Sequence, residues 1–123
     1  MKKIFALLLI IISLGGCSKN DWMTQYYLFR AETAFNKAYD LRVKPGSDFE
    51  RMKYYRQAHD CFIKAFRLNP KFFTLARIEQ AQDACLRLED KENESIFQKF
   101  GDEYVRAHPK EAEYGAAGMP SLE

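Results

Sequence analysis

Several things this chain lacks narrow what it can be. No segment alternates apolar and polar residues for long enough to make a strand, so a sheet protein is excluded. There is no H-E-x-x-H, no G-x-x-x-x-G-K-[ST], and no zinc-type pairing of Cys or His. Histidine occurs only twice, so each position can be weighed. His59 and Cys61 lie two apart and would point to different sides of a helix, so no shared metal is expected. His108, beside Pro109, reads as a helix-end residue. Glu79 and Asp83 share a helix face, but carboxylates on a surface helix are ordinarily solvated, and no general acid–base pair stands out. The expectation is a protein that is not an enzyme and carries no cofactor or metal. Charge of one sign is lacking too: two of the 19 basic residues are Lys2 and Lys3, which leaves 17 basic against 17 acidic residues from position 17 onward. That balance offers no footprint for nucleic acid and no polybasic patch for anionic lipid.

Long hydrophobic runs are missing as well. The longest is Ile4–Ile12, well short of the roughly 20 residues a helix needs to span a bilayer. What surrounds it is informative. Met1-Lys2-Lys3 precedes it, and Ser13-Leu14-Gly15-Gly16-Cys17 follows. A basic start, a short apolar stretch and small residues before a cut site predict a secretory signal peptide over residues 1–16. A buried core helix is the poorer reading, because no polar face interrupts the run.

Leu14-Gly15-Gly16-Cys17 resembles the lipobox of bacterial lipoproteins. The resemblance implies that Leu14, Gly15 and Gly16 are recognised by the signal peptidase. It also implies that the Cys17 thiol takes a diacylglyceryl group and that the new amine is often acylated as well. Two or more chains anchor stably, since each buried methylene contributes about 0.8 kcal/mol and one chain holds only marginally. Ser18 rather than Asp follows the cysteine, which in enteric-type Gram-negative bacteria favours the outer membrane, with the domain facing the periplasm. Cys61 and Cys85 then remain as an even pair in an oxidising compartment.

The rest of the chain reads as four helices. Residues 17–21 form a polar tether after the acylated cysteine. A helix over Trp22–Arg42 carries Tyr27, Leu28, Ala31, Ala34, Phe35, Ala38 and Leu41 on one broad face. Val43-Lys44-Pro45-Gly46 ends it. Ser47-Asp48-Phe49-Glu50 has the form of a capping box and opens a second helix to Leu68, with Met52, Tyr55, Ala58, Phe62, Ala65 and Phe66 on one side. Asn69-Pro70 closes this helix and can open a third, about Lys71–Leu88, with Leu75, Ile78, Ala81, Cys85 and Leu88 on a stripe. Asp90 caps a fourth, which carries Phe97, Phe100 and Tyr104 and stops at His108-Pro109. Gly101 inside it costs about 1 kcal/mol against Ala, a cost that a close helix crossing would justify. Residues 110–123 read as a flexible tail. If helices two and three fold back about Asn69–Pro70, Cys61 and Cys85 are offset by roughly 10 Å along the axis. A disulfide needs Cα atoms about 4.4–6.8 Å apart, so no bridge between them is expected.

Tyr55-x-x-Ala58-x-x-x-Phe62-x-x-Ala65-Phe66-x-Leu68-x-Pro70 is similar to the second helix of a tetratricopeptide repeat. Ala31-x-x-x-Phe35-x-x-Ala38 repeats its small–aromatic–small core. The departures are an expanded loop over Val43–Ser47, the unusual Phe97, Gly101 and Tyr104 in helix four, and a Pro70-to-Pro109 spacing longer than the repeat's usual period of about 34. The resemblance implies an all-α domain over residues 22–109, built as two antiparallel helical hairpins. It also implies a concave groove lined by the first helix of each hairpin, with Phe72, Glu79, Gln82 and Asp83 facing a bound partner segment. Two hairpins are few for such a solenoid, and an open apolar end invites an envelope protein or a second copy of the chain. The expected function is a lipid-anchored, non-catalytic interaction or assembly-accessory module of the bacterial envelope. Its nearest rival is a structural lipoprotein that braces an envelope complex without a peptide groove.

Overall fold

The computed structural model describes residues 19–111, and there the protein is all-α. Its elements are α1 (Lys19–Leu41), α2 (Asp48–Leu68), a 3-10 turn (Pro70–Phe72), α3 (Leu75–Arg87) and α4 (Lys91–Ala107), with no strand among the described residues. α1 packs along α2 and α3 along α4 as two hairpins, joined mainly between α2 and α3 and more lightly between α1 and α3. The expected signal peptide, the lipobox residues Leu14, Gly15 and Gly16, Cys17 itself and the tail from 112 onward lie outside the described residues. No helix among the described residues is long and apolar enough to cross a membrane.

The first hairpin closes on small residues. Ala31, Ala34 and Ala38 of α1 and Ala58 and Ala65 of α2 are all buried, which lets the two backbones approach closely. Leu28, Phe35, Tyr55 and Phe62 fill the space between, with Phe35 edge-on to Tyr55 at 5.8 Å between ring centres. Fully burying a side chain of this size contributes about 1.5–3 kcal/mol. Met52, expected on the same face, is exposed instead. An aromatic cluster joins the hairpins. Phe66 of α2 meets Phe97 and Phe100 of α4 at 4.9 and 5.0 Å, and Phe73 inserts between Phe66, Phe62 and Phe97. Each pair in such tilted or edge-to-face geometry adds about 0.5–1.5 kcal/mol beyond area burial.

Four expectations from the sequence need correction. First, α1 begins at Lys19, so the tether loses positions 19–21 to the first helical turn. The Thr24 hydroxyl donates to the Asn20 carbonyl at 2.6 Å, and Asn69 Nδ2 donates to Asp21 Oδ1 at 2.8 Å, which docks this turn on the corner after α2. Second, Ser47 stands at the start of α2 but makes no capping bond to it. Its buried hydroxyl lies 2.6 Å from the carbonyls of Leu41 and Lys44 and donates back to the end of α1. Helix ends leave carbonyls without full partners, and this serine serves the last carbonyl of α1 and that of Lys44 in the loop rather than the amides of α2.

Third, the third helix does not start at Lys71. Asn69 caps only the 3-10 turn, accepting from Lys71 N, and the chain then extends through Phe73 so that this ring can enter the core. Thr74 caps α3 proper through Arg77 N. Phe72 is therefore not on α3. Fourth, the tail does not begin at Lys110: Lys110 and Glu111 lie in a further helical turn after His108, where Tyr104 Oη donates to Glu111 Oε2 at 2.8 Å. Other expectations hold. Asp90 caps α4 and His108 ends it. A Cβ at Gly101 would sit 3.2 Å from Ile78 Cγ2, so the close crossing is real. Cys61 and Cys85 are buried and unbridged.

Candidate functional site

The first helices of the two hairpins, α1 and α3, flank a cleft of about 350 Å3. α1 contributes Phe35 and Tyr39, with Arg42 just past its end, and α3 contributes Ala76, Glu79, Gln80, Asp83 and Arg87, while Tyr55 of α2 forms the floor. An ion pair between Arg77 and Glu32 holds α3 against α1. The walls alternate in charge over an aromatic base. Arg42 lies 3.7 Å from the centre of the Tyr39 ring, Arg87 lies 5.4 Å from that of Tyr55, and Arg87 Nε is 3.6 Å from Asp83 Oδ1. Burial, reinforced by Asp83 and opposed by Arg87, Arg51 and Arg42, pushes the Tyr55 hydroxyl above its ordinary range, so it stays a neutral donor. Two side-chain polar atoms among the described residues are sealed from solvent without a hydrogen-bond partner, Tyr39 Oη and Gln80 Oε1. Both residues line this cleft. Each such atom costs the fold about 1–3 kcal/mol.

Of the four groove residues expected from the sequence, the fold brings two together. Glu79 and Asp83 line the cleft one turn apart. Gln82 faces the other way and bonds to Gln98 of α4. Phe72 is half-buried against the core, and its carbonyl accepts from Arg77 Nη1 at 2.8 Å. Tyr39, Arg42, Gln80 and Arg87 were not anticipated. Pro70 sets a register only for the helices on either side of it, and α1 lies outside that register. Continuing the Phe35–Ala38 pattern by one turn would have reached Tyr39 and Arg42.

A second constellation lies at the opposite side of α3. His59 of α2 is nearly covered; its Nδ1 is 2.9 Å from Asp60 Oδ1 and its Nε2 is 2.7 Å from Asp90 Oδ2. The donor atoms of His59, Cys85 and Asp90 all lie within 4.8 Å of one another. Asn93 donates to Asp90 from both its backbone and its side chain, at 3.2 and 2.7 Å. Those bonds, together with His59, hold the Asp90 carboxyl below its ordinary range. Burial pushes the Cys85 thiol up to about 12, and the carboxylates of Asp90 and Glu94 add to this. The expectation that His59 and Cys61 share no metal concerned near neighbours in sequence. His59 instead meets Cys85 in the last turn of the next helix and Asp90 just beyond it, a meeting that only the packing of the hairpins creates.

These arrangements, an amphipathic cleft and a thiol–imidazole–carboxylate cluster, stand without a relative to interpret them: no protein-family model, curated protein or solved structure matched the chain.

Proposed function

We propose that this chain is a lipid-anchored, non-catalytic interaction module of the bacterial envelope, which holds a segment of a partner protein in the cleft between α1 and α3. The observation that carries this reading is the cleft itself, about 350 Å3 between the first helices of both hairpins, with an aromatic floor and charged walls. Glu79, Asp83, Arg42 and Arg87 offer a bound peptide charge complementarity along its length. The position of the cleft between the first helices of two hairpins is where a tetratricopeptide-like groove would lie. The anchor rests on Leu14–Cys17, with Cys17 acylated and the domain facing the periplasm from the outer membrane. An assembly-accessory role is the most concrete form of this activity.

A photo-reactive residue placed at Glu79 in living cells tests the cleft. It should capture a single envelope protein, the capture should fall at least tenfold with Tyr39→Ala, and the same probe at Glu103 on the outer side of α4 should capture nothing. Equal capture from both positions removes the cleft from the function. The anchor is tested separately: Cys17→Ala should leave the precursor unprocessed and unlabelled by a palmitate analogue, and normal labelling would remove the lipoprotein reading.

One observation favours a second reading, a structural lipoprotein that braces an envelope complex without a groove. Trp22, Tyr26 and Phe29 are exposed along one side of α1, outside the cleft. Capture from Phe29 with none from Glu79 would support bracing over peptide binding.

A further inference from the structure

We infer that His59, Cys85 and Asp90 form a binding site for a divalent transition-metal ion of the zinc class, which staples the two hairpins together. The three residues come from three places. His59 lies in the middle of α2, Cys85 in the last turn of α3, and Asp90 in the turn that leads into α4. Their donor atoms already lie within 4.8 Å of one another. Donors sharing a tetrahedral zinc at about 2.0–2.3 Å stand roughly 3–4 Å apart. The required adjustment is small: His59 Nε2 and Asp90 Oδ2, now at 2.7 Å, must separate slightly to admit the ion.

The backbone builds the site. At the end of α3, Glu89 adopts φ 58°. The amides of Glu89 and Asp90 turn back to the carbonyls of Leu86 and Cys85 at 3.1 and 2.9 Å. This closure places Asp90 over Cys85. The outer shell is also present. Metal-bound histidines typically donate their other ring N–H to a carboxylate, which fixes tautomer and ring orientation. Asp60 Oδ1 stands 2.9 Å from His59 Nδ1, the place for that acceptor, and Asn93 Nδ2 steadies the Asp90 carboxylate at 2.7 Å.

Chemistry and charge favour zinc over a hard cation. One thiolate, one imidazole and one carboxylate suit a borderline ion and not calcium or magnesium, which take oxygen ligands. Thiolate and carboxylate together neutralise a divalent charge, and water completes the fourth position. On binding, two protons leave to solvent: that of the Cys85 S–H, as the metal–sulfur bond forms, and the one between His59 Nε2 and Asp90 Oδ2, which frees the Nε2 lone pair and the carboxylate for the ion. The other ring proton stays on Nδ1 facing Asp60. Affinity therefore rises with pH.

The test uses the full chain in mild detergent, reduced and stripped of metal by a chelator. Zinc should then bind with one equivalent per chain and raise the thermal midpoint. Cobalt(II) should give the near-ultraviolet absorption of a cobalt–thiolate bond. That band should disappear in Cys85→Ser and persist in Cys61→Ser and Cys17→Ser. His59→Gln should weaken zinc binding at least tenfold. Asp60→Asn, at an exposed position where folding is not at risk, should weaken it about tenfold as an outer-shell change. Absence of the cobalt–thiolate band in the unsubstituted protein overturns the proposal. So does a band that survives Cys85→Ser, or zinc affinity unchanged in Asp60→Asn and His59→Gln alike.

Discussion

Ser47 and Ala58 are small residues at the same hairpin, and they are small for different reasons. Ser47 is buried, and its single hydroxyl proton is shared between the carbonyls of Leu41 and Lys44, each 2.6 Å away. Ser47→Ala removes that donor and should destabilise the fold by about 1 kcal/mol, read as a lowered thermal midpoint. Ser47→Asp separates the two roles open to this position. Aspartate is a good helix cap but cannot donate to a carbonyl, so it should be at least as destabilising as alanine. Recovery of stability in Ser47→Asp would show that capping α2 is what matters. Ala58 is fully buried in the seam between α1 and α2. Ala58→Leu forces extra methylenes into that seam and should cost about 1–3 kcal/mol in denaturant unfolding. The alanine was legible in the sequence because its neighbours repeat a small–aromatic–small pattern. The serine was misread because a capping box and a loop-closing hydroxyl look identical in one dimension: only the position of α1's last carbonyls separates them.

Element ends were the least legible part of the fold, and α3 shows why at both of its termini. At its start, Asn69-Pro70 satisfies every local preference for opening a helix, and it does open one, but only for the 3-10 turn. The core then claims Phe73, which leaves just 2 % of its surface exposed, and the chain must extend to deliver it. Tertiary burial of an aromatic ring outweighs the propagation of a helix by a few residues. At its end, Glu89 holds a left-handed conformation that favours glycine. Glu89→Gly should therefore stabilise the protein by about 1 kcal/mol in thermal or chemical unfolding. Gly101 is the converse case. A Cβ there would stand 3.2 Å from Ile78 Cγ2, tight enough that the isoleucine would have to give way. Gly101→Val should destabilise by about 1–3 kcal/mol despite the loss of a helix-breaking residue, and equal or improved stability would mean that α4 can shift away from α3 freely.

At the scale of the whole molecule, the two hairpins meet over a modest seam of phenylalanines with a cysteine on either side. Cys61 and Cys85 are both buried and unbridged. Burial pushes both thiols above their ordinary range, most strongly Cys85, so neither is a ready thiolate for exchange. Non-reducing mass spectrometry of the folded protein should accordingly find no intramolecular Cys61–Cys85 bond, even after mild oxidation. The sequence by itself determined the helices, their order, the small faces on which they pair and the absence of a bridge. Those properties depend on periodicity and on distance along an axis, which a chain states locally. Only the tertiary structure decided which of the outward-facing residues share a site. Glu79 and Asp83 face Tyr39 and Arg42 from another helix, whereas Gln82, on the same helix, turns away to Gln98. His59, Cys85 and Asp90 converge because α2 crosses the turn after α3. The physical reason is common to both cases: a helix fixes the face on which a residue lies, but the angle and offset between helices, set by how their side chains pack, fix what that face meets.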